Sequence, residues 1–378
     1  MKSDILIIGA GIAGAAAAYE LAGARVGGGR VILLEGESQP GYHSSGRSAA
    51  LYEPVLGNAT VRAFNVASAG FLASPPPGFA DHPLMIRRGE LTISDGDHRA
   101  DLGAILALDG LGGHEIREVS SERALAMIPI LRPALIRWAA YEPDVMDMDV
   151  NAIHQGFLKG FAARDGQLLC DAPVRRIERR RGCWRLEAGP EVFETNIIVN
   201  AAGAWADSIA GLAGLAPLGL QPKRRTAAIL SGPEEVDIQD WPVLGVAGED
   251  AYFKPEAGKL LVSPGDATPV EPQDVQPEEL DVAILVDWFE SKTILTVRRV
   301  ERRWAGLRTF APDDRPVLGE DPTAPGFWWL AGQGGYGIMM VESLARSLAG
   351  LMLQGDLPED VRTLGVSPAA IAPQRLRG

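Results

Sequence analysis

Two cysteines, Cys170 and Cys183, are all that 378 residues contain. That scarcity excludes a disulfide framework, a CxxC redox pair and a four-thiolate metal site, and it fits a reducing, cytoplasmic setting. Basic charge is short as well: 36 Lys and Arg against 49 Asp and Glu leave a net charge of −13. Such a balance opposes nucleic acid or anionic lipid as a partner, because both need a cationic surface. The one basic cluster, Arg175, Arg176, Arg179, Arg180 and Arg181, surrounds Gly182 and reads as a solvated hairpin end. His43, His82, His98, His114 and His154 show no HxxxH or HxH spacing, and Asp147/Asp149 and Asp313/Asp314 read as helix or turn starts, so no metal site is expected. Ile5 to Ala24 is the one stretch that mimics a leader or a span. Its glycines and the flanking Asp4 and Glu20 argue against stable membrane insertion.

What the chain does have is length for two structural units, discontinuous in sequence, and a strong signal at its start. Ile5-Leu6-Ile7-Ile8 is an apolar run of strand length, buried on both faces, that feeds into Gly9-Ala10-Gly11-Ile12-Ala13-Gly14. Helix formers follow from Ala15 to Ala22, and Val31-Ile32-Leu33-Leu34 makes a second strand ending at Glu35-Gly36. In this βαβ unit Gly9 allows the tight turn, Gly11 lets the backbone approach a pyrophosphate, and Gly14 lets helix and strand pack closely. Glu35, 21 residues after Gly14, can accept from ribose hydroxyls. Gly23 to Arg30, with Gly27-Gly28-Gly29, is a long connection and reads as a mobile surface loop.

The unit suits FAD or a nicotinamide cofactor alike; three further segments favour FAD. Gly41-Tyr42-His43-Ser44-Ser45-Gly46-Arg47-Ser48-Ala49-Ala50 is small and hydroxylated enough to lie along a pyrophosphate and ring system, with Leu51 at its end. Asn196 to Gly203 reads as a buried strand and small-residue turn through Ala202 and Gly203, then Trp205 and a helix. Before it, Val174 to Ile177 and Trp184 to Leu186 read as a hairpin crossing over the sheet, with Val174 offering backbone groups to an adenine. Phe327 to Ala331 is a strand entering Gly332-Gln333-Gly334-Gly335-Tyr336-Gly337-Ile338 and a helix running to about Met352. A second glycine-lined helix start would face the flavin N1 and C2 carbonyl, which gain negative charge on reduction.

These segments resemble the D-amino acid oxidase family of flavoproteins. The whole chain looks like the bacterial FAD-dependent D-arginine dehydrogenases, most specifically over Gly41–Ala50, Val199–Ala206, Gly211–Arg225, Trp304–Phe310 (with Gly306) and Gln333–Ile338. The resemblance implies an α/β (mixed α+β) fold: a Rossmann-like FAD-binding domain, residues 1–83, 144–224 and 313–378, with an inserted antiparallel-sheet substrate domain, residues 84–143 and 225–312. Strand patterning in Leu84–Ser94, Arg225–Ser231 and Ala251–Ser263 fits such a sheet, and the period of Val150, Ile153, Phe157, Leu158 and Phe161 behind Asp149 predicts a capped helix. It further implies non-covalent FAD, since both cysteines fall in the crossover hairpin, away from the C-terminal flavin turn, and read as packing residues.

An arginine fork matches a carboxylate, and Arg225, Tyr252 and Arg308 match the family's carboxylate-holding positions. Glu90, aligned by His82-Pro83-Leu84, matches the acid that holds a cationic side chain. Leu51 and Leu56 stand where the D-arginine enzymes carry histidine and tyrosine, Glu53 replaces a small hydroxyl residue, and Val243 and Gly245 replace larger apolar ones. The implied chemistry is hydride transfer from Cα to FAD without a dedicated protein base, then hydrolysis to a 2-oxo acid and ammonia. A quinone or electron carrier is the implied acceptor, with Ala49 the matching small residue, in a monomer or small homo-oligomer. Two alternatives stand beside it: oxidation of a secondary amine or 2-hydroxy acid, and a flavin-binding assembly factor without turnover.

Overall fold

The computed structural model describes residues 1–233 and 236–377. Its first sheet grows from the predicted βαβ unit. Lys2–Ile8 pairs in parallel with Val31–Leu34 on one side and with Glu191–Asn200 on the other; Gln167–Leu169 adds beyond Val31–Leu34. Alternation along the first two strands sends Ile5, Ile7, Val31 and Leu33 into one core and Leu6, Ile8, Ile32 and Leu34 into another. Helices cover both faces. Ile12–Gly23, Val150–Ala162 and Val341–Gln354 pack on the first, and Ala206–Leu212 with Trp184 and Leu186 on the second.

The far edge of Glu191–Asn200 is shared. Its first half pairs with Cys183–Ala188 and its last residues with Phe327–Ala331. The hairpin Val174–Arg180/Cys183–Ala188 is therefore hydrogen-bonded into the sheet rather than laid across it. Its arginines are spent locally: Glu178 pairs with Arg176, Arg180 and Arg185, and Arg179 lies over the Trp184 ring. The predicted solvated end is what the fold shows. Cys170 sits just after Gln167–Leu169 and only Cys183 in the hairpin; both are free and half-buried rather than core residues.

A second, ten-stranded sheet is antiparallel except where Val243–Val246 runs parallel to Glu90–Ser94. Gln221–Leu230 pairs along its length with Val300–Phe310 and, at its end, with Lys259–Ser263. One face packs on Ser121–Met127 and Glu279–Lys292 through Leu91, Ile93, Ala228, Leu230, Phe253 and Val262. The stretch Leu84–Ser94 is two strands in two sheets. Met85–Arg87 joins Leu51–Tyr52 and Met146–Met148, and the chain then turns at Gly89 (φ +73°), where the Arg88 and Gly89 amides both donate to the Val145 carbonyl.

Gly23 to Arg30 holds a single 3-10 turn, Val26–Gly28, with Val26 buried. The helix Val150–Ala162 starts as predicted, the Asp149 carboxylate accepting from the Ala152 amide at 2.8 Å. Asp147 has another role, bridging Lys254 and Arg88. Replacing Asp149 by Ala should cost about 1 kcal/mol of unfolding free energy in urea titrations, and Asp149→Asn, which keeps an acceptor, should cost clearly less.

Candidate active site

The Gly9–Gly14 turn is built for an anion. Gly9 takes φ +99°, and a Cβ there would lie 2.6 Å from the Ala201 carbonyl; one on Gly14 would lie 1.8 Å from the Gly9 carbonyl. Helix Ile12–Gly23 thus begins hard against the strand ends. Its first amides face outward: Ile12 donates to Ser45 Oγ at 2.8 Å and Ala10 to Glu35 Oε2 at 2.9 Å, while the Gly11, Ala13 and Gly14 amides have no acceptor among the described residues. Unpaired N–H groups at a helix start are a ready anion site. His154, buried, donates Nε2–H to the Ala10 carbonyl at 2.9 Å, and burial pushes its pKa down, which keeps the ring neutral. Nothing in the sequence marks that brace except a position inside a helical period.

A cleft of about 460 Å³ runs from this turn. One end holds Glu35, whose carboxylate also accepts from the Glu37 amide at 3.1 Å, together with Gly36 and Val174. Along it lie Gly11, Ile12, Ala13, His43, Ser44, Ser45, Arg47, Ser48, Ala49, Ala202, Gly203 and Trp205. At the other end are Gly306, Gly332, Gly334, Gly335, Gly337 and Ile338. Of the residues expected at the cofactor, Gly14 and Gly46 line no cavity and serve close backbone contacts instead, and Ala50, Leu51 and Tyr336 line the neighbouring cavity. Glu37, Pro173, Thr226, Ser263 and Trp304 line the cleft without having been anticipated. Glu37 and Pro173 adjoin anticipated positions; the other three come from the sheet above.

The Gly41–Ala50 segment is stitched to that sheet. Ser44 Oγ donates to the Leu307 carbonyl at 2.7 Å, Arg47 to the Val275 and Ala305 carbonyls and to Asp274, and Trp304 Nε1 to the Arg47 carbonyl. The glycine turn at the far end differs from expectation. Gly332–Ile338 does not open straight into the helix: Met340 N–H bonds back to the Tyr336 carbonyl in one separate turn, and the regular helix begins at Val341. The helix start therefore stands back from Gly335, and the loop amides, not a helix terminus, face the cleft.

At its inner end the cleft meets a second cavity of about 600 Å³; Arg225, Tyr252 and Arg308 line both. Strand alternation puts them there together. Gln221–Leu230 and Val300–Phe310 pair Arg225 with Gly306 and Lys223 with Arg308, while Tyr252 pairs with Gly245 and Gly245 with Thr92. The face opposite the Leu91 and Phe253 core therefore collects Glu90, Tyr252, Arg225 and Arg308 from separate strands. Arg225 Nε is buried without a partner, and its one side-chain bond is to the Asp250 carbonyl at 3.4 Å. Burial, then the neighbouring Arg308, pushes its pKa down to about 10, so it stays cationic at neutral pH. The Arg308 guanidinium lies against Gly335, lines both cavities and makes no ion pair or side-chain hydrogen bond among the described residues. Asp266 and Asp250 offset the Arg225 charge in part but make no ion pair with it, and two guanidiniums side by side without a direct carboxylate partner suit an anionic ligand.

Glu53 and Glu90 line the second cavity with Leu51, Leu56, Val243 and Gly245. Burial, helped by Glu142, pushes the Glu53 carboxyl from its ordinary 4.5 up to about 8, and burial with Glu53 and Glu142 holds Glu90 well above the usual range. A carboxyl whose folded-state pKa is raised stabilises the fold fully below about 4.5 and ceases to do so as pH rises through about 8. Calorimetric melting of the wild type and Glu53→Gln should therefore show the difference moving in the variant's favour between pH 5 and pH 8 (both ~).

Residues 4–351 match the family described as DAO, FAD dependent oxidoreductase. Mitochondrial sarcosine dehydrogenase of Mus musculus is 22% identical over 95% of this chain and 40% of its own length; the chain spans about two fifths or less of the curated relatives it matches. Dithionite-reduced L-α-glycerophosphate oxidase from Mycoplasma pneumoniae, with FAD bound, superposes with TM-score 0.82 at 18% identity, over 93% of this chain and 95% of that one. Glycine oxidase from Geobacillus kaustophilus superposes with TM-score 0.78 at 22% identity, over 93% and 94%. These likenesses show the fold, and no helix among the described residues is long and apolar enough to cross a membrane. The unpaired amides, the Glu35 carboxylate and the glycine-lined cleft fit FAD, and the chain belongs to the DAO family of FAD-dependent oxidoreductases.

Proposed function

We propose that this chain oxidises a free D-amino acid with a basic side chain, such as D-arginine or D-lysine, to the imino acid, which hydrolyses to a 2-oxo acid and ammonia. The observation that carries the reading is the junction of the two cavities, where Arg225, Arg308 and Tyr252 converge and the buried Arg225 Nε has no hydrogen-bond partner among the described residues. When bound, FAD supplies the two-electron acceptor for the hydride leaving Cα. The chain's own residues do the rest. Arg308 and Arg225 grip the two carboxylate oxygens, Tyr252 donates to one of them, and the grip orients the Cα–H toward the cofactor cleft. Glu90 faces the side-chain end of the substrate from the second cavity. The Gly11 and Ala13 amides would hold the pyrophosphate, Glu35 the ribose, and the Gly332–Ile338 loop the ring.

The resemblance to D-arginine dehydrogenases supports the D configuration and the basic side chain, and it supports a quinone or similar electron carrier as acceptor. Ala49 lines the cofactor cleft, and no lysine does so among the described residues. The division into a cofactor unit and a substrate unit at residues 84–143 and 225–312 follows the same reading. A secondary amine such as sarcosine is the second reading, favoured by the likeness to a sarcosine dehydrogenase over nearly the whole chain. Glu90→Gln separates the two: it should impair cationic substrates and leave a secondary amine untouched.

Anaerobic mixing with a panel of D- and L-amino acids and N-methyl amino acids should bleach the flavin band with D-arginine or D-lysine fastest. Bleaching by no amine at all contradicts the reading. Arg308→Met should lower kcat/KM by roughly 100-fold or more while the bound-flavin spectrum stays unchanged. Glu35→Ala should weaken FAD binding by about tenfold or more in equilibrium dialysis.

A further inference from the structure

The second cavity holds a charge pattern that the carboxylate-binding residues do not use. Glu90 enters from the strand Glu90–Ser94, and Glu53 from the segment just after Leu51–Tyr52, where its amide N–H donates to Met339 Sδ with N and S 3.2 Å apart. Both acids line the cavity. Glu90 Oε2 is buried with no hydrogen-bond partner, and Glu90 Oε1 lies 2.9 Å from where a Cβ on Gly245 would sit. The small residue at 245 is thus what gives this carboxyl its room.

A third acid behind them differs. Glu142 is buried and accepts from His114 Nε2 at 2.9 Å, with His114 buried too, so it has a partner of its own. Glu53 and Glu90 have no basic partner among the described residues, although Lys254 and Arg88 elsewhere, and Arg224 in the wall of the same cavity, are all paired with other carboxylates. Two adjacent carboxyl groups without a counter-charge are a costly arrangement in a fold. A ligand that brings the missing cation relieves that cost.

We propose that Glu53 and Glu90 form a two-carboxyl receptor for a cationic group, ammonium or guanidinium, at the far end of the substrate side chain, with Glu53 the specificity-determining residue that the family pattern lacks. The proposal rests on the amino-acid reading above. Arg225 and Arg308 line the cavity where it joins the cofactor cleft, with Asp250 and Asp266 acting on Arg225, and Glu53 and Glu90 line the same cavity without a cation of their own. A substrate with an α-carboxylate and a distal cation matches both pairs. A neutral isostere matches one and leaves the acids unrelieved.

The test pairs each cationic substrate with an uncharged isostere: arginine with citrulline, lysine with norleucine, in both configurations. Anaerobic flavin reduction, followed to saturation, gives a Kd and a limiting rate for each. In the wild type the cationic member of a pair should bind tighter by on the order of 30-fold or more. Glu53→Gln should erase most of that preference through the Kd of the cationic member alone, and Glu53→Asp should restore part of it. A merely structural Glu53 would shift both members alike. Equal affinity for both members in the wild type, or equal shifts in the variant, overturns the receptor and leaves amino-acid oxidation standing. Failure of every amino acid to reduce the wild-type flavin removes the amino-acid reading, and the receptor with it.

Discussion

The Gly11, Ala13 and Gly14 amides, held without an acceptor at the start of one helix, are the constraint around which the cofactor half is arranged. A helix can begin that way only if the strand before it turns sharply and the helix lies close to the sheet. Gly9 and Gly14 meet those two needs, and no residue with a Cβ could. The neighbours then fix the turn without occupying it. His154 takes the Ala10 carbonyl, Glu35 the Ala10 amide and Ser45 the Ile12 amide, so the turn is anchored on its flanks and its remaining donors point at the cleft.

The other sheet solves a different problem, which is to bring charged side chains of both signs from separate strands into one cavity. Strand alternation does this economically. Four strands give one set of side chains to the core side of the sheet and the other to the cavity, and so deliver Glu90, Tyr252, Arg225 and Arg308 to one surface. Glycines at 245, 306 and 335 keep that surface from filling. Arg225 and Arg308 make no ion pair there among the described residues, whereas Arg224, one residue from Arg225 and on the opposite face, is neutralised by Asp281 and Glu278. The contrast between adjacent arginines separates a residue that builds the fold from one that awaits a ligand.

Local chemistry made much of this legible in the sequence. The βαβ unit follows from an apolar run, a glycine spacing and one acid; the helix Val150–Ala162 follows from its period and from Asp149; the Val174–Ala188 hairpin follows from two strands around Gly182. What escaped depends on partners distant in the chain. The break at Arg88-Gly89 is set by the Val145 carbonyl, and the hairpin's place in the sheet by the shared edge of Glu191–Asn200. The helix after Gly335 starts late because the Tyr336–Met340 turn intervenes, a choice that composition does not encode. In the sequence Glu53 is only a replacement for a small hydroxyl residue, and it gains meaning when the fold brings Glu90 and Glu142 beside it.

The central claim is that one FAD spans the cleft from the Gly11 turn to the Gly335 loop. A crystal structure of the FAD-loaded protein tests it most directly. The account predicts the pyrophosphate on the Gly11 and Ala13 amides, the ribose on Glu35, and the ring beside Gly332–Ile338 under Arg308. A dinucleotide lying elsewhere, or one whose ring turns away from the Arg225–Arg308 junction, would contradict it.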